Sequence, residues 1–151
     1  MLFMGQEFLE DKLWSDSPGR ADRLIWWDGA LGGDRHMADF LRCTRDLIAL
    51  RRAVPALRSD DIGVYPPDEE SRVLAYRRGD SAVVVLSFNE TTLHGYELGF
   101  PRPGRWREAF NSDYYDHFPN PWVAGNGGVV DASGPARLTI PANAMLVFTI
   151  D

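Results

Sequence analysis

The chain has 151 residues, enough for one domain with a sizeable core that removes roughly 70% of the unfolded surface from water. Its 16 basic residues face 22 acidic ones, a net charge of −6, which argues against nucleic acid, a partner that favours a clustered basic face. No stretch approaches the ~18 apolar residues that span a bilayer, and the start has neither the basic region nor the small-residue cleavage site of a signal peptide. A single cysteine, Cys43, forms no internal disulfide, which fits a reducing cytoplasm.

The chain opens with MLFMGQEFLEDKLW. Met1–Met4 is an apolar run too short for a helix, closed by Gly5 and followed by Gln6, Glu7, Glu10 and Asp11. Such a run has the form of a strand buried on both faces that opens into a polar loop. In a (β/α)₈ barrel, loops of this kind at the C-terminal strand ends carry the active site. Residues 5–33 are rich in Gly, Asp, Trp and Pro without sustained period and read as a long loop, functional or packed on a neighbour. Met37, Phe40, Leu41, Thr44, Leu47, Ile48 and Leu50 then fall at helical spacing, with Asp34 as cap and Pro55 ending the helix near Val54. Arg42, Arg45, Arg51 and Arg52 lie mostly off that stripe. They read as a solvated face, or as one that pairs with acids of a neighbouring barrel.

From Ile62 onward the pattern is that of strands. Val73–Arg78 and Ala82–Phe88 flank Gly79-Asp80, a pair suited to a two-residue hairpin turn. His94–Phe100, Arg105–Phe110, Ala136–Ile140 and Met145–Ile150 follow, separated by turn-rich segments such as Pro101–Gly104. Several short strands at this spacing predict an antiparallel β-sandwich. The unbroken run Val83–Leu86 predicts a central strand.

MLFMGQEF with the tryptophans of LIWWDG, the helix HMADFLRCTRDLIALRRAVPAL, the strands RVLAYRR and VVVLSFNET, and then GRWREAFNSD, GNGG and LTIPANAMLVF occur in that order. Together they resemble the C-terminal region of the 1,4-α-glucan (glycogen) branching enzymes of the α-amylase superfamily. The segment between Val130 and Ala136 is shorter than is usual there, and nothing of the barrel before Met1 is present. The resemblance implies a mainly β chain. Residues 1–54 would be the last strand, loop and helix of the catalytic barrel, and residues 55–151 the C-terminal all-β sandwich domain. It also implies a cytoplasmic glycosyltransferase of glycogen biosynthesis without a cofactor, which cuts an α-1,4 glucan and rejoins the released segment at a 6-hydroxyl.

Retaining cleavage needs two carboxyl groups roughly 5 Å apart. In the family the nucleophile, the acid/base and the third carboxylate sit on earlier barrel strands, so no catalytic residue is assigned here and the chain alone is expected to be inactive. Gln6 and Glu7 are candidate rim residues of the substrate cleft; the alternative for Glu7 is that it only satisfies loop backbone amides. Sugars expose C–H faces that stack on indole and phenol rings. Tyr114-Tyr115-Asp116-His117-Phe118 with Trp122 therefore bind a glucan or seal the sandwich against the barrel, with Tyr115 and Trp122 as the substrate candidates. Trp14, Trp26 and Trp27 pose the same choice, Trp14 being the substrate candidate among them, and Trp106 reads as core.

His36, His94 and His117 share no ligand spacing with one another or with Cys43, so no metal is expected. Cys43 reads as a small buried thiol. Gly125–Gly128 reads as a turn, since no Lys-Ser/Thr follows as a phosphate loop requires. Two functions from different classes remain. One is the C-terminal portion of a branching enzyme that supports the barrel and borders the cleft, with an α-1,4/α-1,6 glucan and the missing barrel as partners. The other is a stand-alone glucan-binding or structural module. The apolar MLFMG favours the first, because a free module has little use for a strand with unpaired edges. Without a barrel, residues 1–33 are expected to be disordered or buried by self-association.

Overall fold

A computed structural model describes residues 4–13, 15–17 and 19–150. The strand expected at Met1–Met4 falls outside these residues except for Met4, which lies in a turn. The long loop is present. Short 3-10 turns at Gln6–Phe8 and Ala21–Arg23 and a wider helical turn at Gly29–Gly33 interrupt it. Phe8, 1% exposed, packs with Ala30 and Met37 and with the flanks of Ile25 and Leu41. The segment thus finds cover for Phe8 within its own chain, while Trp26, Trp27 and Leu31 stay exposed.

The helix α1 runs over Arg35–Ala53. Asp34 caps it, its carboxylate accepting the Met37 N–H at 3.0 Å. Pro55 disfavours helical geometry at the residue before it, and Val54 is accordingly extended. The apolar side of α1 serves two clients. Met37 and Leu41 face the loop cluster around Phe8, and Cys43, Leu47, Leu50 and Val54 pack against the sheet. Phe40 and Ile48, which the periodicity puts on the buried stripe, remain exposed.

Eight strands follow: β1 (Ile62–Val64), β2 (Val73–Arg78), β3 (Ala82–Ser87), β4 (Leu93–Leu98), β5 (Arg105–Asn111), β6 (Val129–Asp131), β7 (Ala136–Ile140) and β8 (Met145–Thr149). Six form an antiparallel sheet in the order β1-β2-β3-β8-β5-β6, and β4 pairs with β7 as a separate ribbon. Val83 pairs with Phe148 and Val85 with Leu146. These four join Trp106, Leu138 and Ile140 in the core between sheet and ribbon. Alternation sends Ala82, Val84 and Val147 to the opposite face, where Leu57, Phe110 and α1 cover them. The sandwich and the central position of Val83–Leu86 are as the sequence predicts.

The β2–β3 connection differs from expectation. Arg78 pairs with Ala82, so three residues, Gly79–Ser81, make the turn rather than two. The extra residue has a use, because the Ser81 carbonyl accepts the Ile150 N–H at 3.1 Å and the Gly79 N–H donates to Asp61 at 2.9 Å. Gly79 has φ 59, which costs glycine nothing. Strand β5 holds a second irregularity. Its register on β8 shifts between Glu108 and Phe110, so Trp106 lies in the core between the sheets while Phe110 lies on the α1 side.

Phe148→Ala removes a fully buried ring from the core between the sheets. It is expected to lower unfolding stability in urea by about 3–5 kcal/mol, whereas Asp34→Ala, which removes only the helix cap, costs about 1 kcal/mol.

Candidate functional site

The N-terminal arm presents Gln6 and Glu7 on a turn whose shape glycine permits. Gly5 has φ 88, and a Cβ there would sit 2.5 Å from Glu10 Cβ, so no larger residue fits without displacement. Thr44 of α1 donates its hydroxyl to the Glu7 carbonyl at 2.9 Å. Glu10 accepts the Trp26 N–H at 2.6 Å, tying the two arms of the loop together. Phe8 is buried between them, leaving Gln6 exposed and Glu7 half-buried at the surface. Trp14 lies outside the described residues.

The aromatic loop after β5 docks on α1, and two acids of the helix receive it. Asp39, 9% exposed, accepts the Phe118 N–H at 3.0 Å and pairs with Arg35 at 3.5 Å. Asp46 accepts the Tyr115 hydroxyl at 2.7 Å. Between these bonds the Tyr115 ring stacks on Phe110 and Phe118 with centroids 5.6 Å away in each case. The Arg42 guanidinium sits 4.3 Å over the Phe118 ring. Part of the arginine face is therefore engaged by its own chain, Arg42 by Phe118 and Arg51 by the Leu57 carbonyl. Burial and then the Asp46 bond push the Tyr115 phenol above its ordinary range. Burial first, and the charge of Asp46 second, push the Cys43 thiol up to about 11, so it is a neutral thiol at physiological pH.

The remainder of this loop is fixed by side-chain to backbone bonds. Asn111 caps the Asp113 N–H at 3.0 Å and donates to the Ala124 carbonyl at 2.8 Å. Asp113 accepts the Ala124 N–H at 2.8 Å. Asn120 donates to the Asp113 carbonyl at 2.9 Å and accepts the Trp122 N–H at 2.9 Å. Glu108 holds Asn126 through its N–H at 2.9 Å and its side-chain amide at 2.6 Å. Gly125–Gly128 is the turn expected, and a Cβ on Gly125 would meet both Asn111 and Glu108 at 2.8 Å.

A cavity of about 280 Å³ opens where arm, helix and loop meet, lined among others by Leu9, His36, Asp39, Cys43, Tyr115 and Asn143. It brings Tyr115 together with the arm two residues beyond Glu7; Trp122 is not among its walls. The rings of His36 and His117 lie 5.2 Å apart, although their sequence spacing gives no sign of it. Among the described residues no group of three or more His, Cys, Asp or Glu is arranged to hold a metal, and no helix is long and apolar enough to cross a membrane. Sequence reasoning missed Asp39 and Asp46. The available signal was that positions 39 and 46 fall at i,i+4 spacing with Cys43 and Leu50, on the side of α1 that faces the sheet.

Among the described residues the fold is an eight-stranded antiparallel architecture with an unequal pair of sheets, backed by a helix. Residues 65–151 match the alpha amylase C-terminal all-beta domain, and the chain belongs to that family. It is 35% identical, over 157 aligned residues and 97% of its length, to the 1,4-alpha-glucan branching enzyme GlgB of Mycolicibacterium paratuberculosis (strain ATCC BAA-968 / K-10). It spans only 20% of that protein. Among solved structures it is similar to an alpha-amylase from H. orenii, with TM-score 0.56 and 18% identity over 87% of this chain and 24% of that one. That likeness in fold extends beyond what residues 65–151 alone supply. The resemblance to the C-terminal region of branching enzymes, drawn from sequence motifs, is borne out.

Two measurements probe the docked loop. Tyr115→Phe is expected to cost about 1 kcal/mol in denaturant unfolding, through the lost bond to Asp46, and a double-mutant cycle with Asp46→Ala should recover that coupling. For Cys43, a thiol whose pKa rises from 9.0 to about 11 on folding stabilises the fold below pH 9, and this contribution is lost as pH rises through 11. Alkylation by iodoacetamide at pH 8 should therefore be roughly a hundredfold slower in the folded chain than in urea.

Proposed function

We propose that this chain is the C-terminal portion of a 1,4-α-glucan branching enzyme, acting on a glycogen-like glucan in the cytoplasm. On this reading residues 1–54 are the end of the catalytic barrel and residues 55–151 the β-domain that supports it. The observation that carries the reading is the 35% identity along 97% of the chain, which reaches well before the β-domain at residue 65. The surface supports it. Nine of the 16 exposed large apolar side chains among the described residues lie before residue 49, including Leu13, Leu24, Trp27 and Leu31. Large apolar side chains left exposed along one stretch of chain are ones that a neighbour would cover, and the remainder of the barrel is the natural cover. In a chain expressed apart from a barrel, these side chains are expected to draw two copies together.

The division of labour follows from chemistry. Transfer of a glucan segment through a covalent glycosyl-enzyme needs a carboxylate nucleophile and an acid/base in fixed relation, and several acids near the arm and loop are engaged otherwise. Glu10 holds the Trp26 amide, Asp39 the Phe118 amide and Glu108 the Asn126 side chain. Gln6 and Glu7, raised on the Gly5 turn, border the cleft and contact glucan without reacting. The second reading, a stand-alone glucan-binding module, draws on one observation: Phe8, Ala30 and Met37 already pack the arm onto the chain's own helix.

Purified chain incubated with amylose is expected to release no reducing ends and to leave iodine colour unchanged. Preceded by a branching-enzyme barrel, the same chain should restore branching. In that fusion Glu7→Gln is expected to raise KM several-fold with a smaller effect on kcat. Activity of the chain alone that persists in Glu7→Gln would refute the assignment, and activity of the chain alone lost in Glu7→Gln would make Glu7 itself catalytic.

A further inference from the structure

Of the three aromatic residues that the sequence singles out for sugar contact, Trp14 lies outside the described residues and the structure separates the other two. Tyr115 is stacked into the seam with α1 and its hydroxyl is bonded to Asp46. Trp122, by contrast, is 87% exposed. A tryptophan left in water forgoes the largest apolar burial that any side chain offers. Exposure of this degree is common on mobile loops, but this loop is built to hold one shape. Asn120 bonds Asp113 on one side and the Trp122 N–H on the other, and Ala124, two residues further on, is clamped at both its N–H and its carbonyl. The backbone on either side of the indole is thus fixed before any ligand arrives.

We propose that Trp122 is a stacking platform for an α-1,4-glucan chain, an inference that takes its choice of sugar from the function proposed above. The face of an indole carries negative charge density and the axial C–H bonds of a glucose ring carry positive, so the two stack without a pocket. A second ring is tethered to the same asparagine, for the Tyr114 carbonyl accepts the Asn120 N–H at 3.1 Å, and Tyr114 is 41% exposed. Tyr114 and Trp122 are thus both exposed on one pre-ordered loop. Because the loop is already ordered, binding does not have to order it.

The test titrates maltoheptaose into the full chain by calorimetry, with acrylamide quenching of tryptophan emission in parallel. The wild-type chain is expected to bind and its emission to become shielded. Trp122→Ala should weaken binding roughly tenfold or more with an unchanged unfolding midpoint, and Trp122→Phe, which keeps a ring face, should recover part of it. Equal affinity of Trp122→Ala and wild type overturns the platform while leaving the branching-enzyme assignment intact, because the barrel fusion tests that separately. No binding of maltoheptaose at millimolar concentration also overturns it. So does a fall in light-scattering mass in Trp122→Ala without any change in glucan binding, which would make a second copy the occupant.

Discussion

Strands β3 and β8 lie side by side in the middle of the six-stranded sheet, and both are buried on both faces. That single condition organises the molecule. A pair of strands rich in Val, Leu and Phe on alternate faces cannot leave either face in water, so each face must be given a cover. The β4–β7 ribbon serves one side with Leu98, Leu138 and Ile140. Among the described residues no further sheet is available for the other. Helix α1 and the Pro55–Arg58 turn take that place through Leu47, Leu50 and Leu57. Helix, loop and sheet are in consequence one packing unit, although their sequence patterns change sharply at Pro55.

Because α1 closes the sheet, its flanks become the walls on which neighbouring segments are seated. Asp39 and Asp46, seven residues apart on one face, receive the aromatic loop. Thr44 and Met37 receive the N-terminal arm. Carboxylates serve well here, because the loop offers donors that a helix flank otherwise leaves unbonded, and a buried N–H without an acceptor is expensive. Arm and loop reach the helix from different directions and meet at the cavity beside Leu9 and Tyr115.

The helix was legible in the sequence because several independent signals agreed: the spacing of Met37, Leu41, Leu47 and Leu50, the cap at Asp34 and the stop at Pro55. Strands β2 and β7 were legible to the residue, since each is long enough to show alternation. Strands β1 and β6 were not. They are edge strands of three residues, and a period of two cannot be seen in so short a run. The third residue of the β2–β3 turn was hidden for another reason: its carbonyl is claimed by Ile150, some seventy positions away, and turn chemistry read locally carries no trace of that. Tyr115 and Trp122 looked alike in sequence, both aromatic and both in a Pro- and Asn-marked loop. What separates them is Asp46, a partner on a distant element, and distance along the chain conceals such partners from any local reading. Phe40 and Ile48 show the converse, being apolar at helical spacing yet left exposed.

One uncounted residue decides where the aromatic loop arrives. Strand β5 would keep even-numbered side chains on one face throughout, but the shift between Glu108 and Phe110 reverses the parity. Trp106 remains in the core between the sheets, and Phe110 emerges beneath α1 to support Tyr115. Ala109 thus acts as a frameshift in space. Upstream of it the strand is addressed to the ribbon, and downstream to the helix. A lineage that lost this alanine would keep every side chain that lines the seam and still misdeliver Phe110, since inside and outside exchange beyond that point. Relatives in which strand length differs by one here should therefore carry a different set of aromatic residues on the helix side, however similar their motifs read in a linear comparison.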